Sequence, residues 1–391
     1  MLGDSLSGIR VIDFTQVAAG PVCTQTLADL GADVIKVEAH KGELCRALAP
    51  FVEGQSLGFL ALNGNKRSVA LDLKDPGENA AALELAAGAD VVVESFRPGV
   101  MQRLGLGYED IRQRHPGVIY CSVSAYGQDG AWRHKPGVDG VLQAVAGLMS
   151  VTGLPDAPPC KVQVPVVDMV TGYFAAIGVL GALARRARTG EGQWIDTSMF
   201  ASAVSLQQMS FASYFADGMP PARIGSAAPY AAPNEALRCA DGWIMIAAYH
   251  PSRWEALCSV LECRELVSDA RFRELSGRIT HRRELVQLLE ERMTRRPRRE
   301  WLERFEAVDI ICAPINDYSE VIASQAFAGA NLSETISHPI AGELTFPRTP
   351  LRAVGEVPRA RRPAPLVGEH TGEVLRAAGI TCDNEGKEPW Q

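Results

Sequence analysis

Ile9-Arg-Val-Ile-Asp-Phe14, then Thr15-Gln-Val-Ala-Ala-Gly20-Pro21, then Val34-Ile-Lys-Val-Glu38: on these three runs the fold turns. Two short stretches rich in β-branched residues flank Pro21–Leu30, which has helical composition and which Gly31 closes as a C-cap. A strand, a helix and a second strand at this spacing make a βαβ unit. The alternation continues downstream. Ser68–Leu73 reads as a strand, the Ala-rich Glu78–Ala87 as a helix, and Asp90–Val93 and Val118–Val123 as strands. This predicts an α/β fold, a parallel sheet with helices on both faces. The opening also resembles a dinucleotide site, because Glu38 ends the second strand 18 residues after Gly20, near the ribose-binding spacing. The turn carries no GxGxxG, however, so its backbone cannot approach a pyrophosphate closely. The fold signal survives and the nicotinamide-cofactor signal does not.

A chain of 391 residues exceeds one ordinary core, which predicts two domains. The net charge of −7 argues against a nucleic-acid partner, while a few local cations would still suffice for a small polyanion. Met1–Phe14 carries Asp4 and lacks the basic-then-apolar run of a signal peptide. The most apolar helical run, Tyr173–Ala184, falls short of the ~20 residues that span a bilayer, so no membrane is expected. Nine cysteines with no CxxC pair read as reduced thiols of a cytoplasmic protein. Cys23, Cys121 and Cys312 could act as nucleophiles, but small buried apolar residues are the commoner use. HExxH and P-loop signatures are missing. His115, His134 and His281 lie in polar stretches and read as solvated.

Asp168 stands out. It follows Val164-Pro-Val-Val167 and opens Asp168–Arg188, which reads as the longest helix, closing on Arg185, Arg186, Arg188 and Gly190. A carboxylate among apolar residues is paired, capping or functional. An N-cap and a functional group both fit. Met219–Pro233, with four prolines, reads as a linker or mobile loop. Arg238–Val260 and Arg273–Phe305 read as strand plus helices of a smaller, charged module. The tail, with Pro347, Pro350, Pro358, Pro363 and Pro365, reads as extended before a short helix Glu373–Ala378.

Nine segments taken together resemble the family III CoA-transferases, the CaiB/BaiF and formyl-CoA transferase-like group. They are Gly8–Pro21 (GIRVIDFTQVAAGP), Leu30–Glu38 (LGADVIKVE), Asn63–Lys74 (NGNKRSVALDLK), Asp90–Tyr108 (DVVVESFRPGVMQRLGLGY) and Ile119–Gly130 (IYCSVSAYGQDG). Pro136–Met149 (PGVDGVLQAVAGLM), Val164–Tyr173 (VPVVDMVTGY), Arg188–Phe200 (RTGEGQWIDTSMF) and Pro365–Leu375 (PLVGEHTGEVL) complete the set. The resemblance implies a doubly wound, Rossmann-like large domain built from both chain ends, residues 1–205 and 330–391, with a smaller α/β domain inserted at 225–325. It also implies an interlocked homodimer of two ring-shaped subunits, an exception to the usual avoidance of knots.

The family's catalytic aspartate falls on Asp168. Its contacts to coenzyme A fall on Ala18, Leu71, Asp72, Leu73, Lys74, Ser95, Phe96, Arg97 and Arg103. Asp139, at a position often acidic in the family, would orient Asp168 or substrate, or serve as an ordinary turn carboxylate. Lys74, Arg97 and Arg103 suit phosphates chemically. The implied reaction moves CoA from an acyl-CoA to a free carboxylic acid through an aspartyl anhydride and an aspartyl-CoA thioester, without a metal. With an ordinary pKa of about 3.9, Asp168 would be ionised at neutral pH.

Three departures bear on substrate. Ala18 stands where formyl-CoA:oxalate transferases carry Gln, and Gly225-Ser226-Ala227-Ala228-Pro229 lacks their glycine run; both weigh against oxalate as acceptor. Val138 replaces the histidine of the related racemases, which removes one base of a two-base proton transfer. Ala39 replaces an arginine that would contact phosphate. The rival readings are an acyl-CoA racemase or isomerase on the same fold and a non-catalytic CoA-binding protein. Met219–Pro233 is the candidate lid.

Overall fold

The computed structural model describes residues 2–356 and 360–380. The chain folds as two compact units. The described residues of Met1–Leu148, Lys161–Met219 and Asn331–Gln391 form the first, and Met149–Cys160 with Pro220–Ala330 form the second.

The first unit is built on a six-stranded parallel sheet: β1 (Arg10–Phe14), β2 (Asp33–Glu38), β3 (Arg67–Ala70), β4 (Val91–Glu94), β5 (Ile119–Ser124) and β6 (Gln193–Ser198). Its order is β3-β2-β1-β4-β5-β6. The direction of winding reverses between β1 and β4, where doubly wound sheets open a crevice at the carboxyl ends of the strands. Four helices frame that crevice and the core behind it: α1 (Ala19–Asp29), α2 (Pro76–Ala87), α3 (Asp139–Val145) and α4 (Val166–Thr189). The period-2 alternation of the strands feeds two cores. Ile12, Phe14, Ile35 and Val92 pack against α2 on one face. Val11, Val34, Val91 and Ile119 pack against α1 and α4 on the other.

Several elements differ from the sequence reading in ways that have physical causes. β3 stops at Ala70, which leaves Leu71–Lys74 as a loop beyond the strand end. The edge strand β6 has no counterpart in that reading, because Gln193-Trp-Ile-Asp-Thr-Ser198 has no apolar run and pairs with β5 alone. α4 runs for 24 residues and is, by length and composition, long and apolar enough to cross a membrane, against the shorter apolar run read from the sequence. Its Ala175, Ala176, Val179 and Ala182 are buried in the core shared with α1. Gly172 sets that crossing: a Cβ there would lie 2.5 Å from the Val22 Cβ and 2.6 Å from the Ala19 carbonyl oxygen. Lys36, which strand alternation among apolar neighbours leaves no obvious use for, is 0% exposed. Its Nζ donates to the Thr15 carbonyl at 2.8 Å and faces Glu43 at 3.5 Å, the pairing that a buried charge requires.

The C-terminal segment runs beside β3. Asn65 N donates to Arg362 O, Gly368 N to Ser68 Oγ and His370 N to Ser68 O. The helix Thr371–Ala377 then buries Val374 and Leu375 in the α2-side core. Pro358 lies outside the described residues.

The second unit holds a three-stranded antiparallel sheet, β7 (Asn234–Cys239), β8 (Gly242–Ala247) and β9 (Ile311–Pro314), in the order β9-β8-β7. Its core gathers Leu237, Ile244, Trp254, Leu289 and Phe305. Most of Met219–Pro233 lies within it. Arg223 donates to the carbonyls of Leu154, Pro155 and Ala157, and Gly225 N to Gly153 O. Arg282 holds the carbonyls of Ala228 and Ala231, and the buried Arg278 that of Ala232. The chain passes from the first unit to the second at Met219–Pro220, so the stretch begins as a linker, and these bonds then tie Arg223–Ala232 into the second unit.

Candidate active site

Three clefts line the carboxyl edge of the parallel sheet. The first, of about 360 Å³, is walled by Gln16, Ala39, Leu71–Lys74, Phe96 and Arg103. The second, of about 370 Å³, is walled by Ser95, Phe96, Arg97, Ser124, Lys135 and Val138. Phe96 is the wall they share. The third, of about 440 Å³, meets the second at Pro98 and Arg133 and includes His134, Trp194 and Asp196. Eight of the residues singled out in the sequence as CoA contacts therefore line two adjoining clefts. Lys74, Arg97 and Arg103 are exposed there, and none of them forms an ion pair among the described residues.

Several backbone donors around these clefts are already taken. Thr15 N donates to Asp13 at 2.8 Å, Gln16 N to Ser95 Oγ at 3.0 Å and Val17 N to Glu43 at 3.0 Å. Phe96 N donates to Glu94 at 2.8 Å, and Lys74 N to Asp72 at 3.0 Å. Glu38, the acid at the ribose-binding position, is taken as well: Arg46 forks onto it at 2.7 and 2.8 Å, and Ser68 Oγ donates at 2.6 Å. Both of its oxygens therefore already accept hydrogen bonds within the chain.

Ala18 lines none of the three clefts. It is the N-cap residue of α1, next to Val17, whose φ is +66°. The close crossing at Gly172 packs the first turn of α1 against α4 one turn beyond Asp168, which brings the Ala18 loop to the same end of the unit as Asp168.

Asp168 sits in the first turn of α4, after the N-cap residue Pro165. Its side chain accepts no hydrogen bond among the described residues, so it does not cap the helix. Asp139 does. Oδ2 of Asp139 accepts from Val167 N at 2.8 Å and from Asp168 N at 3.2 Å. Oδ1 accepts from Gln143 Nε2 at 2.6 Å, and Gln143 bonds both the N–H and the carbonyl of Val162. Asp139 is 8% exposed, so it is a buried anchor for the turn that carries Asp168, not an ordinary turn carboxylate. The residue before it, Val138, is 66% exposed and lines the second cleft. Gln143 and Glu94 carry no signal in the sequence.

Burial, then the neighbouring charge of Asp139, pushes the Asp168 carboxyl up to about 7. This corrects the ordinary acidic pKa assumed from the sequence. Cys23 and Cys121 are fully buried in the α1-side core.

Residues 6–371 match the sequence pattern of CoA-transferase family III. The chain belongs to that family. It is 36% identical over 373 residues to the succinyl-CoA:glutarate CoA-transferase of Mus musculus, covering 95% of this chain and 86% of that one. It is 35% identical over 394 residues to the succinyl-CoA:mesaconate CoA-transferase of Haloarcula hispanica, covering 96% and 97%. With the acetyl-CoA:oxalate CoA-transferase of Acetobacter aceti it shares 37% over 375 residues, 94% of each chain. The solved structure of a CaiB/BaiF family protein from Brucella suis superimposes with a TM-score of 0.85 at 34% identity, covering 95% of this chain and 99% of that one. The transferase is thus an enzyme that acts on CoA thioesters. One relative being an oxalate enzyme, overall likeness does not choose among acceptor acids.

Proposed function

We propose that the transferase moves CoA between short dicarboxylic acids through covalent intermediates on Asp168. The observation that carries this reading is the state of that side chain: a carboxylate without hydrogen-bond partners among the described residues, its own backbone N–H held by Asp139 beside the cleft. The adenosine phosphates occupy the first cleft against Lys74 and Arg103, and the pantetheine arm follows the second past Arg97 toward Val138. Ionised Asp168 attacks the thioester carbonyl, the C–S bond breaks, and a mixed anhydride and the CoA thiolate result. The thiolate attacks the aspartyl carbonyl, giving an aspartyl-CoA thioester and the free donor acid. The incoming carboxylate attacks that thioester and regenerates an anhydride and thiolate. Finally the thiolate attacks the acyl carbonyl of the new acid, releasing product and ionised Asp168. The names of the relatives, which pair succinate with glutarate or mesaconate, support dicarboxylates. Val138, where the racemases carry histidine, supports transfer over α-proton exchange.

Trapping tests the covalent step. Protein given succinyl-CoA and no acceptor, then hydroxylamine, should carry a hydroxamate on Asp168, a gain of roughly 15 Da by peptide mass spectrometry, because hydroxylamine cleaves activated carbonyls and not free carboxylates. The label should require succinyl-CoA. Its appearance on another residue would move the nucleophile there.

We further infer an interlocked homodimer in a reducing compartment such as the cytoplasm. Ile177 on α4 and Leu206, Met209 and Phe215 just beyond it are large apolar side chains between 45% and 79% exposed, a surface suited to a second copy. All eight described cysteines are free thiols. The sedimenting species should have twice the 42.1 kDa of one chain. Tagged and untagged dimers should exchange subunits only after unfolding. Exchange between native dimers would rule out threading.

A further inference from the structure

We propose that Glu94 is a positioning residue for CoA binding, its ionised carboxylate fixing the loop Ser95–Arg97 that forms the wall between the two CoA clefts. The proposal rests on the reading of those clefts as the CoA site.

Glu94 ends β4 at the switch point, in register with Phe14 on one side and Ser122 on the other. It is 4% exposed, with no cation among its hydrogen-bond partners. A buried carboxylate without a counter-charge is costly unless its hydrogen bonds define something. Here they define the loop. One oxygen accepts from Phe96 N at 2.8 Å. Ser122, in register with it on β5, favours its ionised form, toward which the hydroxyl hydrogen is free to turn. That hydroxyl's oxygen in turn accepts from Trp194 Nε1 at 3.0 Å. The chain of donors therefore runs one way, from the indole to the serine to the carboxylate, and an ionised Glu94 is its natural end. Ser95, between the two anchored positions, takes the Gln16 N–H. One carboxylate thus sets the residue that walls both clefts, the serine that ties β1's loop to β4's, and the path leading to exposed Arg97.

A proton on Glu94 would turn an acceptor into a donor where Ser122 is free to turn its own hydrogen. Burial pushes the Glu94 carboxyl up to about 7, against the Ser122 and Phe96 bonds, with Asp196 on β6 adding to the rise. Tyr120 on β5 is the other titratable group coupled to it. The loop is therefore held most firmly above neutral pH.

The test is CoA binding by calorimetry in the Asp168→Asn background, where no chemistry intervenes, with KM and kcat measured in the parent. Glu94→Gln keeps the volume and an acceptor for Phe96 N while removing the charge. It should raise the CoA Kd at pH 8.5 roughly five- to tenfold and raise the acyl-CoA KM more than it lowers kcat, the scale of a hydrogen bond to a charged group. The gap should close toward pH 6, where the parent Glu94 is itself protonated. A gap constant from pH 6 to 8.5 would reduce Glu94 to a packing role and overturn the proposal. So would an unchanged Kd when Arg103→Ala weakens CoA. If Arg103→Ala and Lys74→Ala also leave the Kd unchanged, it is the CoA assignment of the clefts that fails. Should Glu94→Gln not fold, Ser122→Ala removes the other donor and should raise the Kd in the same direction, roughly two- to fivefold; no change there would likewise overturn the proposal.

Discussion

Asp168→Asn should lower CoA transfer by roughly 10³-fold or more while leaving the CoA Kd within a few-fold. The amide has the size of the carboxylate and none of its nucleophilicity. Because the Asp168 side chain takes no hydrogen bond among the described residues, the exchange disturbs no partner, and the backbone N–H that Asp139 holds stays in place. Stability supplies an independent reading. The folded-state pKa of about 7 lies above the ordinary 3.8, so ionising Asp168 costs more in the folded protein than in the unfolded chain. That residue favours folding at low pH, and the contribution is lost as pH rises from about 4 through 7. The asparagine variant should therefore melt above the parent at pH 8 and close to it at pH 4. Normal turnover in the variant, or a melting difference of the opposite sign, would remove Asp168 from the role assigned to it.

Asp139→Ala should cost roughly 10–100-fold in kcat, the scale expected when a reacting group shifts by about an ångström. It frees the N–H groups of Val167 and Asp168 and leaves Gln143 with Val162 alone, so the first turn of α4 loses its anchor. The pH profile should separate this loss from simple unfolding. In the parent, kcat/KM for the acyl-CoA rises as Asp168 loses its proton, with a midpoint near 7 in the free enzyme. Removing the Asp139 charge takes away one of the two causes that raise the Asp168 pKa, so the midpoint should move to lower pH. Burial, the larger cause, remains, and the midpoint should stay above the ordinary value of 3.8. Asp139→Asn should show the same acid shift with a smaller loss of rate, since one oxygen can still accept from the turn while its amide meets Gln143 Nε2. A profile unmoved in both variants would show that Asp139 does not act on Asp168 electrostatically.

The parallel sheet was legible wherever a strand is buried on both faces. Ile9–Phe14, Val34–Glu38 and Asp90–Val93 read as runs of β-branched residues bounded by turns, and they became β1, β2 and β4. β6 was not legible, because an edge strand half open to solvent carries no such run. Asp168 was legible as a carboxylate out of place, and Lys74, Arg97 and Arg103 as cations in loops. The network behind them was not. Asp139 lies 29 residues from the turn it anchors, and Glu43 and Glu94 look like ordinary polar residues beside a turn. Local sequence spacing reports which residues share a face, whereas Asp139 and Glu43 bond backbone groups brought close only by the tertiary fold, and Glu94 bonds a loop N–H two residues on that any polar residue beside a turn could take. The ties on Arg223–Ala232 were not legible for the related reason that two of their anchors, Arg278 and Arg282, lie about fifty residues downstream.

The rim of occupied backbone donors bears on how the enzyme responds to ionic strength. A phosphate-binding loop that offers its own N–H groups holds anions by fixed dipoles. Here Asp13, Glu43, Glu94 and Asp72 have claimed four such groups, the N–H of Thr15, Val17, Phe96 and Lys74. On the proposed reading, capture of the anionic end of CoA falls largely to Lys74, Arg97 and Arg103, long exposed side chains whose field a salt solution screens within about 10 Å. Half-buried Asp168 and buried Asp139 are less open to that screening. Salt should therefore act on how often CoA arrives and how long it stays, and leave the acyl exchange itself almost untouched.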